Sequence, residues 1–190
     1  MQKTTFFSGL ALASTLLLAA LPAQAQQLVP AQSSVEFTAK QMGVPLQGHF
    51  KKFDAQVAFD PAQLAASRIR FTVDTGSATM GARETDAELP KAAWFNVPQF
   101  PQATFESSAI KALGGGKSDV AGKLTIKGSA VNVNVPVTLV QSGATTTATG
   151  SLPIKRLAFK IGDGEWADTS MVADEVQVRF KLALTGVGKL

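Results

Sequence analysis

The sequence predicts an all-β protein, an up-and-down antiparallel barrel of about eight strands with short helical elements. Three observations predict it. Apolar and polar residues alternate with a period of two through eight or nine successive segments. Most of these segments are separated by brief Gly-, Pro- or Asp-containing punctuation. One long interruption, residues 81–107, breaks the alternation with helix-forming and aromatic residues. One-sided strands in series must bury their apolar face and end without exposed edges, and closure into a barrel does both.

Taken in order, the first strand runs from Ser33 to Met42, with Val35, Phe37 and Ala39 on the apolar face. Gly43 and Pro45 mark a turn into a second strand, Leu46 to Phe53, followed by a third carrying Ala55, Val57 and Phe59. Asp60-Pro61-Ala62-Gln63 predicts one helical turn, with Asp60 as cap and Pro61 at the first position. Ile69, Phe71 and Val73 alternate with charged and polar neighbours in a fourth strand. The fifth spans Ala103 to Leu113 and closes on Gly114-Gly115-Gly116; the sixth runs through Val120, Leu124 and Ile126. In the seventh, Val131, Val133, Val135, Val137 and Leu139 share a face, and Pro136 predicts a bulge or an unpaired edge position because it has no amide to donate. A Thr-rich eighth strand covers Thr145 to Ile154, and the last presents Val176, Val178, Phe180, Leu182 and Leu184.

In the interruption, Asp86 to Leu89 favours a helical turn, and Pro90 can only begin a new one, so two short helical pieces are expected. Trp94 and Phe95 follow, two large rings side by side. In a meander, successive connections alternate between the two ends of the barrel. Trp94 falls in the fourth connection and Trp166 in the eighth, so both tryptophans are expected at one end, which marks the mouth. The apolar face is expected to point inward: the sequence has no tyrosine, and no aromatic girdles of an outer-membrane barrel can be drawn.

Residues 1–25 read as an export signal, with Lys3, an apolar stretch from Leu10 to Leu21 and Ala23-Gln24-Ala25 as a cleavage site. Residues 26–190 are then one domain. The apolar stretch is shorter than the roughly 20 residues of a spanning helix. There is no cysteine, hence neither a disulfide framework nor a lipoprotein anchor. The net charge of +4 comes from scattered residues, with no basic stripe of the kind that binds nucleic acid. Weak contact with an anionic membrane surface and homodimerisation through an edge near Pro136 stay open.

The chain is poorly supplied for catalysis. His49 is the single histidine, and a cysteine–histidine site or a zinc site with several imidazoles is excluded. Acidic neighbours such as Asp86 with Glu88, or Asp174 with Glu175, read as capping and solvating groups. Asp163 and Asp168 lack the spacing of a calcium loop, and Gly114-Gly115-Gly116 is not followed by the Lys-Ser/Thr of a phosphate loop. No enzymatic activity, metal or cofactor is expected. Binding is better provided for. An eight-stranded barrel either fills with its own side chains or holds one small ligand. Here the inward set mixes phenylalanines with many valines, which leave room that leucines would fill.

Several ordered fragments carry a resemblance. Asp86, Glu88-Leu89, Trp94-Phe95-Asn96-Val97, Phe100-Pro101 and Ala103 to Ser107 are its centre. Before them come Ser34 to Phe37, Gly48 with Phe50 and Phe53, and Phe59-Asp60-Pro61; after them come Gly122 to Gly128, Pro136-Val137, Arg156 with Phe159 and Ile161-Gly162, and Asp174 to Val176. In this order they resemble the YceI-like family of periplasmic polyisoprenoid-binding proteins. Thr85 stands where many members carry Arg, and the Lys-Pro often found after Gly128 is absent. The resemblance implies a lipocalin-like barrel with helical elements at one end, holding a long apolar lipid, quinone-type or prenyl phosphate, without catalysis. On that reading Phe37, Phe59, Phe71, Phe105, Val133, Val135, Val178 and Phe180 line the interior, and Trp94, Phe95 and Trp166 frame the entrance. The rival reading is a filled barrel acting as an interaction module for a membrane redox or stress-response partner.

Overall fold

A computed structural model describes residues 26–190. The expected export signal, residues 1–25, lies outside the described residues. Eleven strands form one antiparallel sheet. They are β1 (Gln27–Leu28), β2 (Ser34–Gln41), β3 (Val44–Phe50), β4 (Phe53–Ala58), β5 (Arg68–Asp74), β6 (Ala78–Thr79), β7 (Gln102–Gly114), β8 (Lys117–Ile126), β9 (Ser129–Ser142), β10 (Thr145–Lys155) and β11 (Glu175–Thr185). Among the described residues there is one α-helix, α1 (Arg83–Glu88), between β6 and β7. The spatial order is β4-β5-β7-β8-β9-β10-β11-β2-β3-β6, a meander whose last long strand returns to pair with β2.

The sheet curls because two strands bend. The second and third expected strands are one run with a corner at Lys51 and Lys52; β3 pairs β2 and β6, whereas β4 pairs β5. The partner run bends at the same level through the turn Thr75–Ser77, and Lys51 N to Ser77 O (3.1 Å) and Asp74 N to Lys52 O (3.0 Å) lock the two corners together. No hairpin forms there, because Ser-Gly-Asn-type turn chemistry is missing from Phe50-Lys51-Lys52-Phe53. The remaining edge of β4 is closed by the start of the described chain. Gln26 bridges Val57 while β1 pairs β11, and the Gln26 amide imitates a strand partner, donating from Nε2 to Phe59 O (2.6 Å) and accepting from Phe59 N (3.0 Å).

Pro136 behaves as its chemistry requires. The β9–β10 ladder runs from Ser142–Thr145 to Val137–Gly150 and stops just before it, while β9 keeps its pairing with β8. Beyond that point Phe159, 2 % exposed on the 3-10 turn Arg156–Phe159, packs with Ile126, Ile154 and Ile161 in a buried apolar cluster.

Two local expectations need correcting. After α1 the segment Pro90–Phe100 makes successive turns, not a second helical piece; Asn96 at φ 49 redirects the chain, and its carbonyl takes Phe100 N at 2.9 Å. The helical turn expected at Pro61 lies later, at Leu64–Ala66, because the Asp60 carboxylate accepts from Ala62 N (2.8 Å) and stabilises a tight turn instead.

Candidate ligand-binding site

Inside the barrel is an open cavity of about 570 Å³, within the usual span for ligand sites of about 300–1,000 Å³. Its wall is overwhelmingly apolar and is built from the inward rows of the long strands. Phe37, Phe59, Phe71 and Phe105 contribute from the first half of the meander, and Val135, Val178 and Phe180 from the second. Val133 shares the inward face of β9 but does not border the cavity. Its cross-strand partner is Gly122, and the Phe105 ring lies over that glycine, screening this part of the wall.

One end is open. Of the residues around the cavity, Lys40, Gln41 and Glu84 alone are solvent-exposed, and all three belong to the end formed by the β2–β3 turn and α1. Thr85, Glu88, Leu89 and Met80 complete that rim. Trp94 and Trp166 are there as well, with ring centroids 5.6 Å apart, as the parity of the connections requires. Merging the second and third strands turns the fourth and eighth connections into the third and seventh, so the two still share a parity and an end. Phe95 also borders the cavity and continues an aromatic series inward, 5.9 Å from Phe50, which is 5.3 Å from Phe37. At the other end Val187 forms a floor. Gln141 holds it, donating from Nε2 to Val187 O (3.3 Å), Gly188 O (3.1 Å) and the buried Thr146 hydroxyl (3.2 Å).

Two cations organise the mouth from behind. Arg156 is 1 % exposed, and all five of its guanidinium donors meet backbone carbonyls: Nε to Ala173 (3.1 Å), one terminal nitrogen to Ile161 (2.9 Å) and Gly162 (2.6 Å), the other to Trp166 and Val172 (both 2.7 Å). Burial pushes its pKa down and the charge of Asp174 opposes this. The loop 156–174 is therefore wrapped around one planar group, and Trp166 is placed by it. Lys127 does similar work from the β8–β9 turn: its buried ammonium donates to Lys160 O (2.5 Å) and Ala93 O (3.3 Å) and pairs with Asp163 (3.3 Å). Trp94 Nε1 is buried without a hydrogen-bond partner.

Helix α1 is pinned over the rim by its own carboxylate. Asp86 accepts from Met80 N (2.6 Å) and from the Thr79 hydroxyl (2.5 Å), and these two bonds hold its pKa below the ordinary carboxylate value. Among the described residues no group of three or more His, Cys, Asp or Glu is placed to hold a metal, and no helix is long and apolar enough to cross a membrane.

Sequence reasoning did not foresee Arg156 and Lys127 as organisers or Lys40, Gln41 and Glu84 as the rim. A sequence signal existed for a different feature of the wall: Gly48, Gly122 and Gly150 sit inside strands, where a missing side chain marks a close approach, here by the rings of Phe37, Phe105 and Phe180.

The fold and the site together make a curled antiparallel barrel around an apolar cavity that opens at one end. The YceI-like domain model matches residues 26–184, and the chain belongs to that family. It is similar to a UPF0312 protein of Vibrio parahaemolyticus, 30 % identical over 148 residues, covering 75 % of this chain and 77 % of that one. Among solved structures, BcnA of Burkholderia cenocepacia is 52 % identical with a TM-score of 0.79, covering 82 % of this chain and 98 % of that one. A polyisoprenoid binding domain from Saccharophagus degradans, implicated in plant cell wall breakdown, shares the fold at 15 % identity, with a TM-score of 0.70 and coverage of 85 % and 98 %.

Proposed function

We propose that the protein carries or sequesters a single long-chain lipid of the polyisoprenoid class, quinone-type or prenyl phosphate, with its tail inside the barrel, and that it does so in the periplasm. The observation that carries this reading is the open apolar cavity with one exposed end. The polyisoprenoid-binding neighbour of the same fold supports the ligand class. Phe37, Phe59, Phe71, Phe105, Val135, Val178 and Phe180 would touch the tail, with Trp94, Phe95 and Trp166 at the entrance. A filled barrel serving as an interaction module is disfavoured by the open interior.

Magnitudes make a head-group pocket unnecessary. At about 0.8 kcal/mol per buried methylene, a five-carbon isoprene unit contributes on the order of 3–4 kcal/mol. A few units therefore suffice for tight binding, below the ceiling of about 18–21 kcal/mol. Native mass spectrometry of delipidated protein, incubated separately with a prenyl quinone, a prenyl phosphate and a short-chain control, tests the proposal. One-to-one adducts with a prenyl lipid and none with the control are expected; protein that stays empty with every lipid would refute it.

A further inference from the structure

The inward row of β3 does not stop at the rim. Val44, Leu46, Gly48 and Phe50 share one face of the strand because side chains alternate. Leu46 and Phe50 border the cavity, and Val44, the next residue of that row, stands 59 % exposed beyond the mouth. Beside it Met42 is 76 % exposed at the tip of the β2–β3 turn. Met42 (φ 49) and Gly43 (φ 80) are both left-handed, the geometry of a two-residue turn in which Asn, Asp or Gly is favoured. A methionine there is strained and surrounded by water, and the fold gains nothing from either condition. Met42 N donates to Met171 O at 2.8 Å, which brings a third apolar residue, 44 % exposed, to the same rim. Val172, which follows, borders the cavity. The apolar lining thus runs out onto the surface along both segments.

Charge around this surface is balanced. Lys40 and Arg83 are set against Glu84 and Glu88, the latter already paired with Lys91, while Glu165 and Asp168 lie on the loop that carries Trp166. There is no cluster of cations of the sort that recognises anionic lipid.

We propose that Met42, Val44 and Met171 dock the mouth onto the surface of a zwitterionic bilayer by shallow insertion, so that cavity and acyl phase become continuous. The inference rests on the lipid-carrying reading. A long apolar chain crossing water would lose its burial free energy methylene by methylene, and an unbroken apolar path from barrel to bilayer removes that barrier. Balanced charge assigns the partner as zwitterionic lipid, held by apolar insertion.

Flotation of the purified protein with phosphatidylcholine vesicles tests this. Wild type is expected to float, and the M42S/V44S/M171S variant to partition at least about tenfold more weakly with an unchanged circular-dichroism melting midpoint. Because Asn suits the turn, Met42→Asn is expected to weaken flotation several-fold while leaving the midpoint unchanged or raised. Adding phosphatidylglycerol or salt is expected to change wild-type binding little. Wild type that stays with the unbound fraction, variants that float equally well, or binding that requires anionic lipid and vanishes in salt would each overturn the inference. Uptake of a prenyl quinone from detergent micelles, measured in parallel, separates the two readings: absent uptake by wild type removes the cargo, whereas intact uptake without flotation removes the docking surface alone.

Discussion

The ring of Phe37 lies flat on Gly48, its direct partner across the β2–β3 ladder, and occupies the space where a side chain on Gly48 would stand. The same device recurs around the barrel, with Phe180 over its partner Gly150 and Phe105 over Gly122. Each glycine lets a large ring fold down against the wall, which thickens the wall and keeps the lumen open.

Substituting Gly48→Ala is therefore expected to act on both stability and volume. The added Cβ would lie 2.8 Å from the Thr79 carbonyl oxygen, a backbone atom that cannot rotate away, and would lift the Phe37 ring into the cavity. Overpacking of this kind costs about 1–3 kcal/mol, which lowers the melting midpoint by several degrees at this chain length. Thermal denaturation measures the first effect and lipid uptake the second; both are expected to fall.

Arg156→Lys is expected to be severe although the charge is kept. Lysine offers three donors from one point and cannot span the five carbonyls that the guanidinium joins. Leaving buried carbonyls unmatched is expected to cost at least about 3 kcal/mol. The loop 156–174 would loosen and part Trp166 from Trp94. As the sequence has two tryptophans, both at the mouth, a red-shifted emission maximum in Arg156→Lys measures that parting directly.

Acid is expected to release α1. The Asp86 pKa is lowered by the bonds from Met80 and Thr79 in the folded protein, so its contribution to stability is fully present above the unfolded carboxylate value of about 3.9 and is lost as pH falls through the lower folded value. Asp86→Asn removes the titration. Wild type is expected to be more stable than Asp86→Asn at neutral pH by a constant margin, and the margin to shrink below about pH 4. Denaturant midpoints of both proteins across that range provide the check.

Filling the lumen is expected to block uptake without unfolding the barrel. Ala148, buried on the cavity wall, can be replaced by Phe, whose ring would project into open space and not into packed neighbours. Prenyl-lipid uptake is expected to drop at least about tenfold, a loss of about 1.4 kcal/mol or more, with the melting midpoint near that of wild type.

Much of this architecture was legible because alternation is a direct image of burial. Period two puts Phe37, Phe71, Val178 and Phe180 on apolar faces, the missing tyrosine girdles of a membrane barrel turn those faces inward, and all four border the cavity. The corner at Lys51 and Lys52 was not legible as a corner, because a bent strand and two short strands carry the same alternation, and only the partner's corner at Thr75–Ser77 distinguishes them. Val133 has the pattern of a wall residue, but whether a neighbouring ring covers it depends on the register with Gly122. Arg156 and Lys127 are ordinary basic residues on paper. Their burial arises from carbonyls that only the fold gathers: those of Ala93 and Lys160, remote in sequence, for Lys127, and those of the loop 161–173, which follows Arg156 and closes back over it, for the other.

The most direct measurement of the central claim is photo-labelling with a diazirine-bearing prenyl lipid, followed by peptide mapping of the labelled residues. Labels on inward positions such as Val120, Val135 and Val178, competed away by unlabelled prenyl lipid, are the expected result. Labels confined to outward positions such as Asn132, Asn134 or Lys181, or insensitive to competitor, would contradict the account.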